Sequence, residues 1–466
     1  MRVLLCCLLA QSMVCFSQTN NSPVPTRQQL EWQQMEFYLF VHFGPNTFTD
    51  KEWGEGTETE DVFNPADLDC RQWCRIAKAA GAKGIIITAK HHDGFCLWPS
   101  KYSTHTVRES KWRNGKGDVL KELSQACKEY GLKFGVYISP WDRNHPKYGT
   151  PAYNDVFVNM MKEIFSNYGP IWELWWDGAN GEGPNGKKQV YDWNRFKKTV
   201  REISPNTVIF SDVGPDIRWC GNEKGIAGET NWGYLDTAGF TPGIGAPPTD
   251  TLNRGNVNGK AWIPAECDVS IRPGWFYHKE EDDKVKTPEQ LFQLYLKSVG
   301  RGANMLLNVP PDRRGMIGEN DSAALLGFKK LRDESFSSNL VAGYTIGGMK
   351  FIGTKFRAFT SQTNIELSDY KTDTIYFGLK KETAMNCIGI QENIRKGQAI
   401  KKLQVRLYDR GRLIKEIDLS TVGRKRIITF PVETISTFKI QVKQAKKNPA
   451  IVNVACYLIP ENLIEK

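Results

Sequence analysis

Cysteine is scarce in this chain and poorly spaced for metal chemistry. The 466 residues include 11 cysteines, and three of these, Cys6, Cys7 and Cys15, fall within the first 17 positions. The other eight, Cys70, Cys74, Cys96, Cys127, Cys220, Cys267, Cys387 and Cys456, form no CxxC pair. That spacing excludes a structural zinc site, and the sparse distribution reads as buried free thiols with no assignable disulfide framework. Beyond the amino terminus there is no long apolar run, so no segment reads as membrane-spanning. Blocks of one charge are also missing. Lys+Arg number 62 against Asp+Glu 52, a net charge of +10. The basic residues are scattered, with no run longer than short ones such as Arg424-Lys425-Arg426. This makes a mildly basic surface and argues against a nucleic-acid partner.

What is present is apolar and aromatic. Hydrophobic residues make up 40% and aromatics 11%, with 14 tryptophans. The composition is globular, and the length calls for two domains. Tryptophan at this density fits sugar-binding surfaces as well as cores, because pyranose CH faces pack on aromatic rings. Residues 1–17 read as a secretory signal. Arg2 supplies the positive region and Val3 to Cys15 the apolar one, and Cys15-Phe16-Ser17 places small residues before Gln18. An exported, periplasmic or secreted bacterial protein is expected. Lipid anchoring at Cys15 ranks second, because Ser12-Met13-Val14-Cys15 is a poor lipobox.

Short apolar runs then alternate with helical stretches. The runs are Phe37–Phe43, Gly84–Lys90, Lys133–Ser139, Ile171–Asp177, Thr207–Asp212, a weak Ile226–Thr230, Trp262–Asp268 and Asn304–Val309. Helices are expected over Leu68–Ala80, Val119–Tyr130, Asp155–Tyr168, Lys187–Ile203, Pro288–Gly300 and Ser322–Glu334. Gly81, Gly131 and Gly169 stand at C-cap positions. Eight such units predict an α/β fold, a (β/α)8-like (TIM-type) barrel over residues 18–345. A doubly wound sheet is the alternative, but Gly44-Pro45-Asn46 is no phosphate loop. Val341–Lys350 reads as a glycine-rich linker. The alternating runs beyond it, such as Leu403–Leu407 and Phe438–Val442, predict an antiparallel β-sandwich over 346–466.

In such a barrel the site lies at the carboxyl ends of the strands. Those ends carry His42, then His91-His92-Asp93, then Tyr137 to Asp142, then Trp176-Asp177, then Asp212. Three of six histidines at adjacent strand ends mark a site. A metal-dependent barrel hydrolase could use them with Asp93 and Asp177, but adjacent residues on a strand point to opposite faces, which separates His91 from His92. Glycoside hydrolysis by two carboxylates, with tryptophans gripping the sugar, is the other chemistry.

Five motifs in order resemble glycoside hydrolase family 29, the α-L-fucosidases. They are Phe40 to Thr49 with Glu52-Trp53-Gly54, Ala89 to Phe95, Ser139 to Asn144, Trp175-Trp176-Asp177-Gly178, and Gly214 to Trp219 with Gly221-Asn222-Glu223. The resemblance spans about residues 27–335. The His-Phe-Gly-Pro-Asn-Thr and Gly-Asn-Glu forms are similar to the subfamily preferring α-1,3/1,4-linked fucose. It implies a retaining double displacement without a cofactor, with Asp177 as nucleophile and Glu223 as acid/base. Glu229 and then Asp212 are the runners-up for the second role. It implies a fucose pocket of His42, Glu52, Trp53, His91 and His92, lined further by Tyr137 and Trp141, with Trp275 against the sugar methyl. Glu55 and Glu58 are alternatives to Glu52, and Asp93 and Asp142 are expected to orient the histidines. The sandwich resembles the family's galactose-binding-like domains. The partner implied is a fucosylated glycan, with no nucleic acid and no membrane. The competing class is a barrel that binds carbohydrate without turning it over.

Overall fold

In the computed structural model, residues 22–242, 245–352 and 364–464 are described; the expected signal at 1–17 lies outside them. Eight parallel strands close a barrel in sequence order: β1 (Phe37–Val41), β2 (Gly84–Lys90), β3 (Lys133–Ile138), β4 (Glu173–Trp176), β5 (Val208–Ser211), β6 (Ile217–Trp219), β7 (Ala265–Ser270) and β8 (Asn304–Asn308). β8 pairs with β1 to complete the ring.

Period-two alternation divides these apolar runs between two cores. Ile85 and Ile87 of β2 pack outward under the helices, alongside Leu39, Val136, Leu174 and Leu307. Ile86 points into the barrel, where it meets Tyr38, Phe40, Tyr137, Trp175 and Phe210. An interior this rich in aromatics leaves hydroxyls and indole N–H groups to be satisfied inside the ring.

The outer helices run over Cys70–Ala79, Val119–Tyr130, Ala152–Asn167, Trp193–Ile203, Pro288–Lys297 and Glu319–Ser335. Asp69, Asp118, Asp192 and Thr287 cap four of them by accepting first-turn N–H groups. Gly131 ends its helix at φ +69°.

Two expectations need correction. The sixth strand is Ile217–Trp219, not Ile226–Thr230. Around Ile226 the backbone is tied up by side chains: Asn222 and Asn253 donate to its carbonyl, and Arg301 donates to that of Ala227. The true strand was hidden by Arg218, which is fully buried and donates to the carbonyls of Leu252, Ile263 and Trp232 and to Asn231 Oδ1. Only residues 212–216 separate β5 from β6, with no helix between. Val341–Lys350 is not a linker. Val341–Ile346 and Met349–Ile352 form a hairpin through Gly347 and Gly348, both at positive φ, and belong to the carboxy-terminal sheet.

In that sheet Thr374–Glu392 and Arg426–Ala445 pair along their length. They change register between Gly378 and Thr383 and again between Met385 and Cys387, and carry the sheet from one layer into the next. The antiparallel layers enclose a core that includes Ile388, Val405, Phe438 and Val454. The sandwich grips the bottom of the barrel, away from the strand ends. Glu36, just before β1, pairs with Lys425 at 2.6 Å and Arg424 at 2.9 Å, and accepts from Tyr295 at 3.0 Å.

Lys425 and Arg424 hold the Glu36 carboxyl down at about 2 against the desolvation that would raise it. A depressed carboxylate contributes stability above its unfolded value, lost as pH falls through the folded one. Glu36→Gln is expected to cost about 3 kcal/mol at pH 7, because it removes the carboxylate charge that offsets the buried Lys425. In thermal melts the deficit should narrow as pH drops from about 4.5 to about 2.

Candidate active site

Asp177 follows β4 directly. Its Oδ2 accepts from the Tyr137 hydroxyl at 2.9 Å and its Oδ1 from the Ala179 N–H at 2.8 Å. Period two puts Trp175 on the same inward face, while Trp176 packs outward against Trp193. The Asp212 carboxyl lies against Gly178, where a Cβ would meet its Oδ2 at 2.0 Å. Burial, then the Asp177 charge, push Asp212 up to about 6.

The histidines form one wall. β2 stops at Lys90, so His91 and His92 sit in the turn beyond it and escape strand alternation. Their ring centroids are 4.1 Å apart. His91 stacks toward Tyr137, and its Nδ1 is buried without a hydrogen-bond partner among the described residues. His42 Nδ1 lies 2.9 Å from Asn308 Oδ1. Asn308 Nδ2 donates to Ser270 Oγ and the Trp275 carbonyl, so Oδ1 is the acceptor. His42 therefore carries its proton on Nδ1 and keeps Nε2 free to accept.

His92 Nδ1 meets Ser139 Oγ at 2.8 Å, and its Nε2 faces Asp177 Oδ2 at 3.7 Å. A proton on Nε2 avoids setting two acceptors against each other. Burial pushes His42 and His92 down to about 4, and His91 well below its usual value. The wall is neutral at physiological pH and offers donors and acceptors without charge.

Tryptophans complete the rim. Trp53 is more than half exposed and stands edge-on to His92 and Trp141. Trp141 is nearly buried, its Nε1 donating to the Glu182 carbonyl. Trp275 lies 5.1 Å from His42 and donates from Nε1 to Glu223 Oε2 at 3.2 Å. Glu223 itself is exposed, in the loop after β6 rather than after strand five.

Glu52 acts on the loop that carries Trp275. Its oxygens accept from the Trp275 and Phe276 N–H groups at 2.8 and 3.1 Å and meet His278 Nε2 at 2.7 Å. Glu55 pairs with Arg143, and Glu58 caps the Glu55 and Gly56 N–H groups. Glu229 turns toward the sandwich: its carboxylate faces Arg301 and its carbonyl accepts from Arg426.

Asp93 and Asp142 do not hold the histidines. Asp142 forms a buried pair with Lys90 at 3.4 Å and accepts from Tyr153, and Asp93 accepts from the Phe95 N–H. The orienting groups are Ser139 and Asn308. Both stand at strand ends, which is the signal that could have found them. Among the described residues no three His, Cys, Asp or Glu side chains are grouped to hold a metal ion.

Two outcomes follow from this geometry. Because burial lowers the His42 and His92 values, protonating them favours unfolding. NMR titration should find both rings neutral above about pH 5.5, with stability falling as pH drops from about 6.5 toward about 4. Glu52→Ala should release the Trp275 loop and cut kcat/KM about tenfold in steady-state assays, by removing an acceptor from two N–H groups.

A family model described as α-L-fucosidase matches residues 10–331. α-L-Fucosidase 1 of Arabidopsis thaliana is 39% identical, over 96% of this chain and 92% of its own. The crystal structure of a glycoside hydrolase 29 family member from an unknown rumen bacterium superposes with a TM-score of 0.83 at 42% identity, covering 94% of this chain and 78% of that one. A Ruminococcus gnavus family 29 fucosidase in complex with fucose gives 0.82 at 29% identity, covering 95% and 96%. A polar, uncharged pocket around a strand-end carboxylate is what a neutral deoxysugar requires, and with these matches the chain belongs to the α-L-fucosidases, glycoside hydrolase family 29.

Proposed function

We propose that the chain is a retaining, exo-acting enzyme that removes terminal α-1,3/1,4-linked L-fucose from branched glycans. Asp177 attacks the anomeric carbon and forms a fucosyl ester. Glu223 protonates the leaving oxygen, then takes a proton from the incoming water. The observation that carries this reading is the setting of Asp177. Tyr137 and the Ala179 N–H each donate to it, and His92 presents Nε2 beside it. Donors of this kind support an anionic nucleophile and can shift to the ester oxygen as the bond forms.

Glu223 is favoured over Glu229 because Trp275 ties it to the pocket wall, whereas Glu229 faces Arg301 at the sandwich. It is favoured over Asp212 because that carboxyl is wedged against Gly178 beside the nucleophile. His42, His91 and His92 take the sugar hydroxyls. Trp53, Trp141 and Trp275 take its apolar faces, and Glu52 sets the position of Trp275. The Ruminococcus gnavus relative holds fucose, the sugar this pocket is proposed to take. Export to the periplasm is part of the proposal and rests on Arg2 and the apolar run from Val3 to Cys15.

The test is product analysis. NMR of the first-released fucose should show the α-anomer from a Lewis-type trisaccharide, with slower release from an H-type one; initial β-fucose sinks the retaining mechanism. Asp177→Ala should lose roughly four or more orders of magnitude in kcat. Glu223→Ala should slow natural glycans by about 10²–10⁴-fold but aryl fucosides with good leaving groups far less, with azide restoring turnover. Equal losses on both substrate types would remove Glu223 from the role.

A further inference from the structure

Two carboxyl groups lie sealed inside the barrel beneath the site, and the reaction makes no direct use of either. Glu173 and Glu266 are both fully buried, on β4 and β7. Glu173, Trp175 and Asp177 alternate along β4, so all three share the inward face, rising from barrel floor to rim. Glu266 reaches this column at its middle. Its Oε1 accepts from Trp175 Nε1 at 2.8 Å, and its Oε2 accepts from the Tyr38 hydroxyl. Glu173 Oε2 accepts from Trp32 Nε1 at 2.9 Å.

The Trp175 ring is clamped on both sides. It stacks on Phe210 at 3.9 Å and on Tyr137 at 5.3 Å. Tyr137 in turn donates its hydroxyl to Asp177. An unbroken line of contacts therefore runs from Glu266 through Trp175 and Tyr137 to the carboxylate at the rim. An indole can slide or tilt within an aromatic stack, since such stacks tolerate a range of offsets. The directional bond to Glu266 removes that freedom, and with it the freedom of the Tyr137 ring.

We propose that Glu266 is a positioning residue for the nucleophile, locking the Trp175 indole so that the Tyr137 hydroxyl is held on Asp177. The proposal rests on Asp177 being the nucleophile. Burial, with Glu266 beside it, pushes Glu173 well up, and burial raises Glu266 to about 7. Of the two, Glu266 therefore gives up its proton first, and it is the member that accepts from Tyr38 and Trp175. A filler whose only task was to occupy volume would not need an acceptor on each side.

The test compares full-length Glu266→Gln, Glu266→Leu, Trp175→Phe, Tyr137→Phe and Asp177→Ala with wild type, on a Lewis-type trisaccharide and on an aryl fucoside. Glu266→Gln keeps an acceptor for Trp175, and its kcat should stay within about threefold. Glu266→Leu and Trp175→Phe each remove the bond and should lower kcat about 10–100-fold on both substrates. KM should hold within about threefold, since the pocket groups that bind the sugar are untouched.

The Glu266→Leu/Tyr137→Phe double variant should be no slower than Tyr137→Phe alone, because both act through one hydroxyl. A residue that only supported the fold would shift the melting midpoint and leave kcat of the folded enzyme unchanged. If Glu266→Leu does not fold, Trp175→Phe carries the comparison. Wild-type kcat in a folded Glu266→Leu or Trp175→Phe enzyme, or losses that multiply in the double variant, overturn the proposal. Activity persisting in Asp177→Ala would instead overturn the assignment of the nucleophile.

Discussion

The hydrogen bond from Tyr137 to Asp177 is where the barrel interior reaches the proposed nucleophile. Tyr137 is buried, and its ring packs among Phe40, Trp175 and His91. Its hydroxyl points out of that apolar mass toward the rim end of β4, where the Asp177 carboxylate accepts it. Burying a phenol without a partner for its hydroxyl costs free energy, and Asp177 supplies the partner. The same bond thus satisfies the core and orients the carboxylate proposed as nucleophile. The tight packing behind it restricts how far either residue can drift.

The pocket around this bond is built from groups that burial keeps neutral. A charged wall would bind a sugar without charge no better and would need counter-ions of its own. The orienting partners are neutral too: Asn308 for His42 and Ser139 for His92. The full charges lie one layer back, where Lys90 pairs with Asp142 and shapes the loop after β3. Glu52 is spent on holding the Trp275 loop, and that loop brings Glu223 to the pocket edge. Below the barrel, Glu36 with Lys425 and Arg424 fastens the sandwich on the face opposite the strand ends, which leaves the site open.

Most of the barrel was legible because its strands are apolar on both faces, as Gly84-Ile85-Ile86-Ile87 shows, and because glycines mark the helix ends. The sixth strand was not, since a fully buried arginine reads as polar until its four acceptors are seen. The hairpin starting at Val341 was mistaken for a linker because its glycines serve a turn. Within the site, the histidines and Asp177 stood out as rare residues at strand ends. His91 and His92 were harder, because alternation separates neighbours on a strand and these two lie just past one. Asn308, Ser139 and Glu266 act through partners distant in sequence, Asn308 reaching 266 positions back to His42. No local pattern announces a contact of that kind.

The central claim is that Asp177 forms a covalent bond to the sugar. Incubation with a 2-deoxy-2-fluoro-fucosyl fluoride should trap the ester, since the 2-fluorine slows both its formation and its breakdown while the good leaving group speeds formation alone. Peptide mass spectrometry of the trapped enzyme should find one fucosyl adduct, on Asp177, and none in Asp177→Ala. An adduct on another carboxylate, or an enzyme that turns over the probe without accumulating any adduct, would contradict the account.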